Sequence, residues 1–112
     1  MIIVYSMAGL CTIRHMPAQG AGGFVYHFRT DFLPGKVWER IGQLPVFNHL
    51  GKSVYSLSDR QDEEATGIFR KMIGEKGSGY LFSEELQQTY LVELIHLILK
   101  AYQNTLPAIG MV

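Results

Sequence analysis

Four histidines are the residues of this sequence best suited to metal or acid-base chemistry, namely His15, His27, His49 and His96. Imidazole is a common ligand for zinc, iron and nickel, and a metal site needs three or four donors that converge on one point. The sequence contains no His-x-His or His-x-x-x-His pair, and no carboxylate stands at a regular offset from a histidine. We therefore expect no metal and no cofactor. The alternative is a small metal-dependent enzyme with His15 and His27 as ligands on neighbouring strands.

The other reactive side chains have simpler explanations than catalysis. The sequence has no Gly-x-Ser-x-Gly motif and no phosphate-binding Gly-x-x-x-x-Gly-Lys motif. Adjacent carboxylates at 62–64 and 84–85 fall in the predicted first turns of helices, where negative charge meets the positive end of the helix dipole. The single cysteine, Cys11, is predicted to be a small buried hydrophobe. We expect the protein not to be an enzyme.

Composition indicates one globular domain of 112 residues with ten acidic and ten basic side chains. The basic residues are scattered along the chain, so direct contact with nucleic acid is not expected. The most apolar stretch, residues 90–99, is interrupted by Glu93 and His96 and is too short to span a membrane. Residues 1–5 lack the positive charge of a signal peptide, and a lone cysteine is typical of a reducing compartment. These features predict a cytoplasmic protein.

The predicted fold class is α+β, with a partial antiparallel β-barrel or curved sheet followed by two α-helices. Residues 2–6, 10–14 and 24–28 are rich in β-branched and aromatic residues and are separated by turn residues, which is typical of strands. A short helix is predicted near 36–44, and residues 53–57 form either a last strand or an extended segment. Residues 1–57 are thus mostly β, and 58–104 form a two-helix segment of the same domain.

Alternation in the third strand separates two candidate ligand-binding surfaces. Phe24, Tyr26 and Phe28 share one face, whereas His27 lies on the opposite face. Alternation identifies the two faces but not the interior one. A small-molecule pocket is therefore predicted either along the three aromatic residues or around His27.

The first long helix has a clear start and a one-sided apolar arc. Ser58 is a good N-cap, and Gln61 stands three residues on, as in a capping box. The apolar residues fall within an arc of roughly 140° and are Ala65, Ile68, Phe69, Met72 and Ile73. Gly74, Gly77 and Gly79 are predicted to end the helix.

The second long helix, over 83–104, is apolar on more than one side. Its apolar residues spread over roughly 240°, although a surface helix needs an arc of only about 100° to pack on its own core. The remaining polar strip is Thr89, Glu93, His96, Lys100 and Gln103. We expect the surplus to be covered by a second copy in a homodimer. The predicted interface is Leu91, Leu94, Ile95, Ile98 and Tyr102. The alternatives are coverage by the first helix and the sheet, or an adaptor function in which another protein binds this face.

Four runs of the sequence follow one another in an informative order: Gly23 to Leu33, Leu44-Pro-Val-Phe, Ile68-Phe-Arg-Lys-Met and Glu84 to Leu99. This order resembles the regulatory domain of AraC-type bacterial transcription regulators. In that family a small cupin-like barrel ends in a strand of the form Gly-x-x-x-x-Phe followed by x-x-Asp-Phe-Leu. Two helices come next, and the second pairs with its mate in a dimer.

The resemblance covers residues 23–104 and implies a domain that senses a small molecule and self-associates through its C-terminal helix. The family also has further barrel strands before this segment and DNA-binding helix-turn-helix motifs after it. We therefore expect either a piece of a longer regulator or a shortened relative. A shortened barrel would expose sheet edges, which independently favours self-association. Cupin enzymes that bind metal carry a His-x-His pair and a downstream Glu, which argues against the metal-dependent alternative.

Overall fold

The computed structural model describes residues 1–19, 22–48 and 51–104. Its elements confirm the α+β class. Four strands, a 3-10 turn and four helices follow in the order β1 (Ile2–Met7), β2 (Leu10–His15), β3 (Phe24–Arg29), the 3-10 turn (Thr30–Phe32), α1 (Gly35–Ile41), α2 (Pro45–Asn48), β4 (Gly51–Tyr55), α3 (Asp59–Lys76) and α4 (Ser83–Asn104).

The strands form one antiparallel sheet in the order β3-β2-β1-β4. A tight turn joins β1 to β2, and Gly9 adopts a φ of +77° there, which a side chain would disfavour. The segment predicted as a strand or an extended lead-in is β4, which pairs with β1 so that Val54 lies opposite Ile3. Because β3 and β4 form the two edges, the described chain makes an open sheet rather than a closed barrel.

The inner face of the sheet carries the core. It is formed by the side chains at even positions of β1 and β3 and at odd positions of β2 and β4, since paired residues share a face. Val4, Ile13 and Tyr26 lie side by side on it and are at most 8% exposed. They belong to one apolar core with Phe69 of α3 and Leu94 of α4.

The start of α3 confirms the capping box, and its end confirms Gly77, the second of the three predicted stop glycines, as the C-cap. Ser58 Oγ accepts a hydrogen bond from the Gln61 amide at 3.1 Å, and Gln61 Oε1 accepts one from the Ser58 amide at 3.0 Å. The helix continues through Gly74 to Lys76, because one glycine costs only about 1 kcal/mol in a helix. Ile73 lies at the margin of the apolar arc and is 59% exposed, so the buried side of α3 is narrower than expected.

The short helix predicted near 36–44 is α1, and an additional short helix, α2, follows it. The first, α1, ends at Ile41, where the Trp38 ring lies so close to Gly42 that an added Cβ would meet it at 2.6 Å. Pro45 begins α2, whose Val46 and Phe47 are buried in the core. Proline is favourable at this first helical position because its fixed φ suits a helix and no intrahelical partner exists there for an N–H.

Candidate functional site

The two histidines considered as metal ligands lie on opposite faces of the sheet. His15 is fully buried on the inner face, with its ring stacked at 6.2 Å from Phe24 and 5.9 Å from Phe69. His27 is exposed on the other face, where its Nδ1 lies 2.8 Å from Thr12 Oγ1. One ion cannot bind both side chains, so the metal-dependent alternative loses its ligand pair. Across 1–19, 22–48 and 51–104, no cluster of three or more His, Cys, Asp or Glu is placed to hold a metal.

His15 serves as a link between β2 and α3. Thr66 donates its hydroxyl hydrogen to the Asp62 carbonyl at 3.0 Å, so its oxygen accepts a hydrogen bond from His15 Nε2, also at 3.0 Å. This arrangement assigns the proton of the neutral ring to Nε2. Nδ1 is buried and has no hydrogen-bond partner among the described residues. Burial lowers the pKa of His15, and the nearby Asp62 carboxylate opposes that shift only in part.

The segment after β2 is attached to α3 through the same carboxylate. Both oxygens of Asp62 lie 3.3 Å from the Ala18 amide, which donates to them. A cleft of about 770 Å³ lies between this segment and α3, and Asp59 and Glu63 line it beside Asp62. Acidic side chains in the first turns of α3 interact favourably with the positive end of the helix dipole, as predicted from the sequence. This interaction explains their position without a bound ligand.

The predicted aromatic pocket residues pack into the core. Tyr26 and Phe28 are 8% and 5% exposed, and Phe24 stacks on Phe69 with ring centroids 5.4 Å apart. A cleft of about 500 Å³ at the β3 edge does bring together Tyr26, His27 and Phe28, but not Phe24. The inner face is thus filled by α3 and α4, and His27 is the candidate whose face is open.

The predicted dimer interface on α4 is enclosed within the single chain. Leu91, Leu94, Ile95 and Ile98 have no exposed surface, and Tyr102 packs edge-on against Tyr55 at 6.2 Å. The predicted polar strip is exposed at all five of its positions. The apolar arc is therefore covered by the sheet and the other helices, which was the alternative to a second copy. A homodimer or an adaptor's partner stays a prediction, and the apolar residues of α4 that remain partly exposed for such a contact include Tyr90, Val92, Leu99 and Tyr102.

Cys11 is a buried structural residue, as predicted. Its side chain is 2% exposed, and burial raises the pKa of the thiol to about 11, although the Ser6 hydroxyl offsets part of that rise. A thiol with so high a pKa is protonated at neutral pH and is a poor nucleophile.

The outer face of the sheet is the surface that sequence reasoning missed. We define it as the side chains at odd positions of β1 and β3 and at even positions of β2 and β4. Among the described residues no helix layer covers it, and both Val25 and Val54 are 49% exposed. Every charged strand residue lies on this face, and all three are basic: Arg14, Arg29 and Lys52. Alternation along each strand hinted at such a face, but only the register unites the four strands.

Within residues 1–19, 22–48 and 51–104, no strand pairs with the outer edge of β3 or of β4, and the register shows which backbone groups point outward there. Thr30 donates its amide to Gly9 O at 3.1 Å, so the pairs that are hydrogen-bonded to β2 involve the even residues of β3. The amides and carbonyls of Val25, His27 and Arg29 therefore point away from β2. Met16 donates its amide to Met1 O, so the odd residues of β1 are hydrogen-bonded to β2 and its even residues to β4. Lys52 and Val54 lie opposite odd residues of β1, so their amides and carbonyls point away from β1.

Comparison with known proteins gave no match to a family model, to a curated protein or to a solved structure. None of the described helices has the length and apolar character needed to cross a membrane. The likeness to AraC-type regulators therefore depends on the motif order in this sequence.

Proposed function

We propose that this chain is the sensing and self-associating domain of an AraC-like bacterial transcription regulator in the cytoplasm. It binds a small molecule and makes no direct contact with DNA. The motif order supports this proposal: the strand motif is β3, the Asp-Phe-Leu motif spans its following turn, and the two helical motifs lie on α3 and α4. The observation that carries it is the open outer face, because the helices already cover the inner one.

The sensing surface is the outer face around His27. The Thr12 hydroxyl and the His27 ring form a polar pair at 2.8 Å, and Tyr5 lies opposite Thr12 on the next strand. Ile3 supplies an apolar neighbour on the same face and is only 7% exposed although no helix covers it. A few polar groups among apolar side chains are typical of small-molecule sites.

Self-association uses the sheet edges rather than α4. The unpaired amides and carbonyls of β3 and β4 are templates for pairing with another strand. Pairing there extends the sheet without disturbing the core of either copy. It also places the outer faces of the two copies side by side, so that a ligand on one face lies close to the other chain.

A reporter experiment tests the self-association part of this proposal. The chain is fused to a DNA-binding domain that represses transcription only as a dimer, and repression is measured for wild type and for Val25→Pro with Val54→Pro. Both amides point away from the sheet, so proline removes edge donors without removing an internal hydrogen bond. Val25→Thr with Val54→Thr is the matched control, since threonine keeps the amide and favours strands.

The expected result is repression by the wild-type fusion and by the threonine control, and loss of repression in the proline variant. A wild-type fusion that fails to repress, although it accumulates as folded protein, contradicts the proposal. Equal repression by the proline variant excludes the edges as the interface.

A further inference from the structure

The zero net charge of this chain conceals an uneven distribution. All ten acidic residues lie on the helices or the 3-10 turn, and none lies on a strand. The strands carry three basic residues, all on the outer face, while the other seven accompany the ten acidic ones. The outer face is therefore positive by three charges, and the rest of the molecule is negative by the same amount. The zero net charge of the whole chain therefore conceals a positive face that attracts anions.

Arg14 lies on β2, an inner strand of the sheet, in the row of side chains at one end of this positive face. It lies on β2 directly opposite Val25, and Thr12 is opposite His27, so Arg14 and His27 are diagonal neighbours about 7–8 Å apart. No ion pair to Arg14 or to Lys52 is present among the described residues. Arg29, by contrast, already pairs with Asp31 at 2.9 Å. Because Nδ1 of His27 is hydrogen-bonded to Thr12 Oγ1, the Nε2 atom of that ring is directed away from Thr12.

Apolar side chains continue from Arg14 across the sheet. The register places Ile3 beside Arg14 on β1 and Val54 beside Ile3 on β4. At about 4.8 Å per strand, Val54 lies roughly 10 Å from Arg14, and Ile3 lies between them. The half-exposed Val54 and the shielded Ile3 form a shallow apolar surface bounded by Arg14 on one side and Lys52 on the adjacent row.

We infer that the sensed molecule is a small anion with an apolar body, and this inference depends on the proposed function. Its anionic group binds between Arg14 and His27, and its body lies over Ile3 and Val54. Guanidinium and imidazole donors suit a carboxylate or phosphate, because both give charge-assisted hydrogen bonds.

Two other occupants fit the outer face less well. Two copies that meet face to face would bring like charges together, which is unfavourable. Single-stranded nucleic acid requires several aromatic stacking platforms along a positive groove, whereas Tyr5 is the sole Phe, Tyr or Trp on the strand positions of this face. Charge therefore favours a small anion over either macromolecule.

The test compares three probes of one shape and different charge: 2-naphthoate, 2-naphthalenemethanol and 2-naphthylmethylammonium. Binding to the full chain is followed by the NMR methyl signals of Val25 and Val54, and dissociation constants are measured for each probe. Arg14→Gln is the test variant. Lys100→Gln is the matched control, because it removes one positive charge from the exposed strip of α4.

The expected result is that naphthoate shifts both valine signals and binds more tightly than the alcohol and the amine. Arg14→Gln weakens naphthoate by about fivefold, the range of an exposed ion pair, and leaves the alcohol unchanged. The control variant leaves all three probes unchanged. Naphthoate binding that Arg14→Gln does not weaken, or no preference for the anion, overturns this inference while an outer-face site for neutral molecules stands. If none of the probes moves the valine signals, the outer face is not a small-molecule site and the sensing part of the proposed function fails as well.

Discussion

His15 Nε2 lies 3.0 Å from Thr66 Oγ1, and this hydrogen bond joins the end of β2 to α3 through a neutral, buried imidazole. Burial is the main reason why the pKa of this ring is lowered, because a charged imidazole would lose its hydration there. Phe24 and Phe69 lie 6.2 and 5.9 Å from the ring and 5.4 Å from each other, so the three rings form one cluster in which His15 has no exposed surface. The packing of β2 against α3 therefore favours the neutral form of this side chain.

The stability of the protein should fall as the pH drops below about 6.5, the ordinary pKa of histidine. The pKa of His15 is lowered in the folded state by burial, so in this window the unfolded chain binds a proton that the folded chain does not. Urea unfolding at several pH values measures the effect. His15→Gln should flatten the dependence, whereas His96→Gln, at an exposed position, should retain it. An unchanged dependence in His15→Gln contradicts the buried neutral histidine.

Truncation of the α4 core should destabilise the single chain rather than an assembly. Leu94 has no exposed surface, so Leu94→Ala should lower the free energy of unfolding by about 2–5 kcal/mol. Glu93→Ala, one residue earlier on the exposed side, should change it by less than about 0.5 kcal/mol. The unfolding midpoint of Leu94→Ala should shift equally at low and high protein concentration. A shift that depends on concentration would place Leu94 in an interface between copies.

Loss of the α3 cap should have a moderate cost. Ser58→Ala removes the acceptor for the Gln61 amide and should lower the free energy of unfolding by about 1 kcal/mol. Ser56→Ala is the control because that exposed serine lies before the helix. Chemical denaturation of both variants measures the difference. Equal stability of the two would mean that the capping hydrogen bonds contribute nothing.

Local patterns in the sequence predicted the local structure well. The capping box at Ser58, the burial of Cys11 and the polar strip of α4 each depend on residues within a few positions of one another. The assignment of β3 residues to two opposite faces was also correct, because Tyr26 is buried and His27 is exposed. Such features need no knowledge of the rest of the chain.

Relationships between elements were harder to predict, because they depend on strand register and packing. His15 and His27 both lie on strands, but only the pairing of His15 with Phe24 and of Thr12 with His27 places them on opposite faces. The broad apolar arc of α4 suggested a second copy, but α3 and the inner face of the sheet cover Leu91 and Ile95. The even spread of basic residues along the chain likewise concealed the positive outer face.

The most direct test of the account is the mass of the protein in solution, measured by light scattering over a range of micromolar concentrations. The account predicts a mass of twice the 12.6 kDa chain for wild type, and the single-chain mass for a folded Val25→Pro and Val54→Pro double variant. A wild-type protein that keeps the single-chain mass at every concentration would contradict self-association through the open edges of β3 and β4.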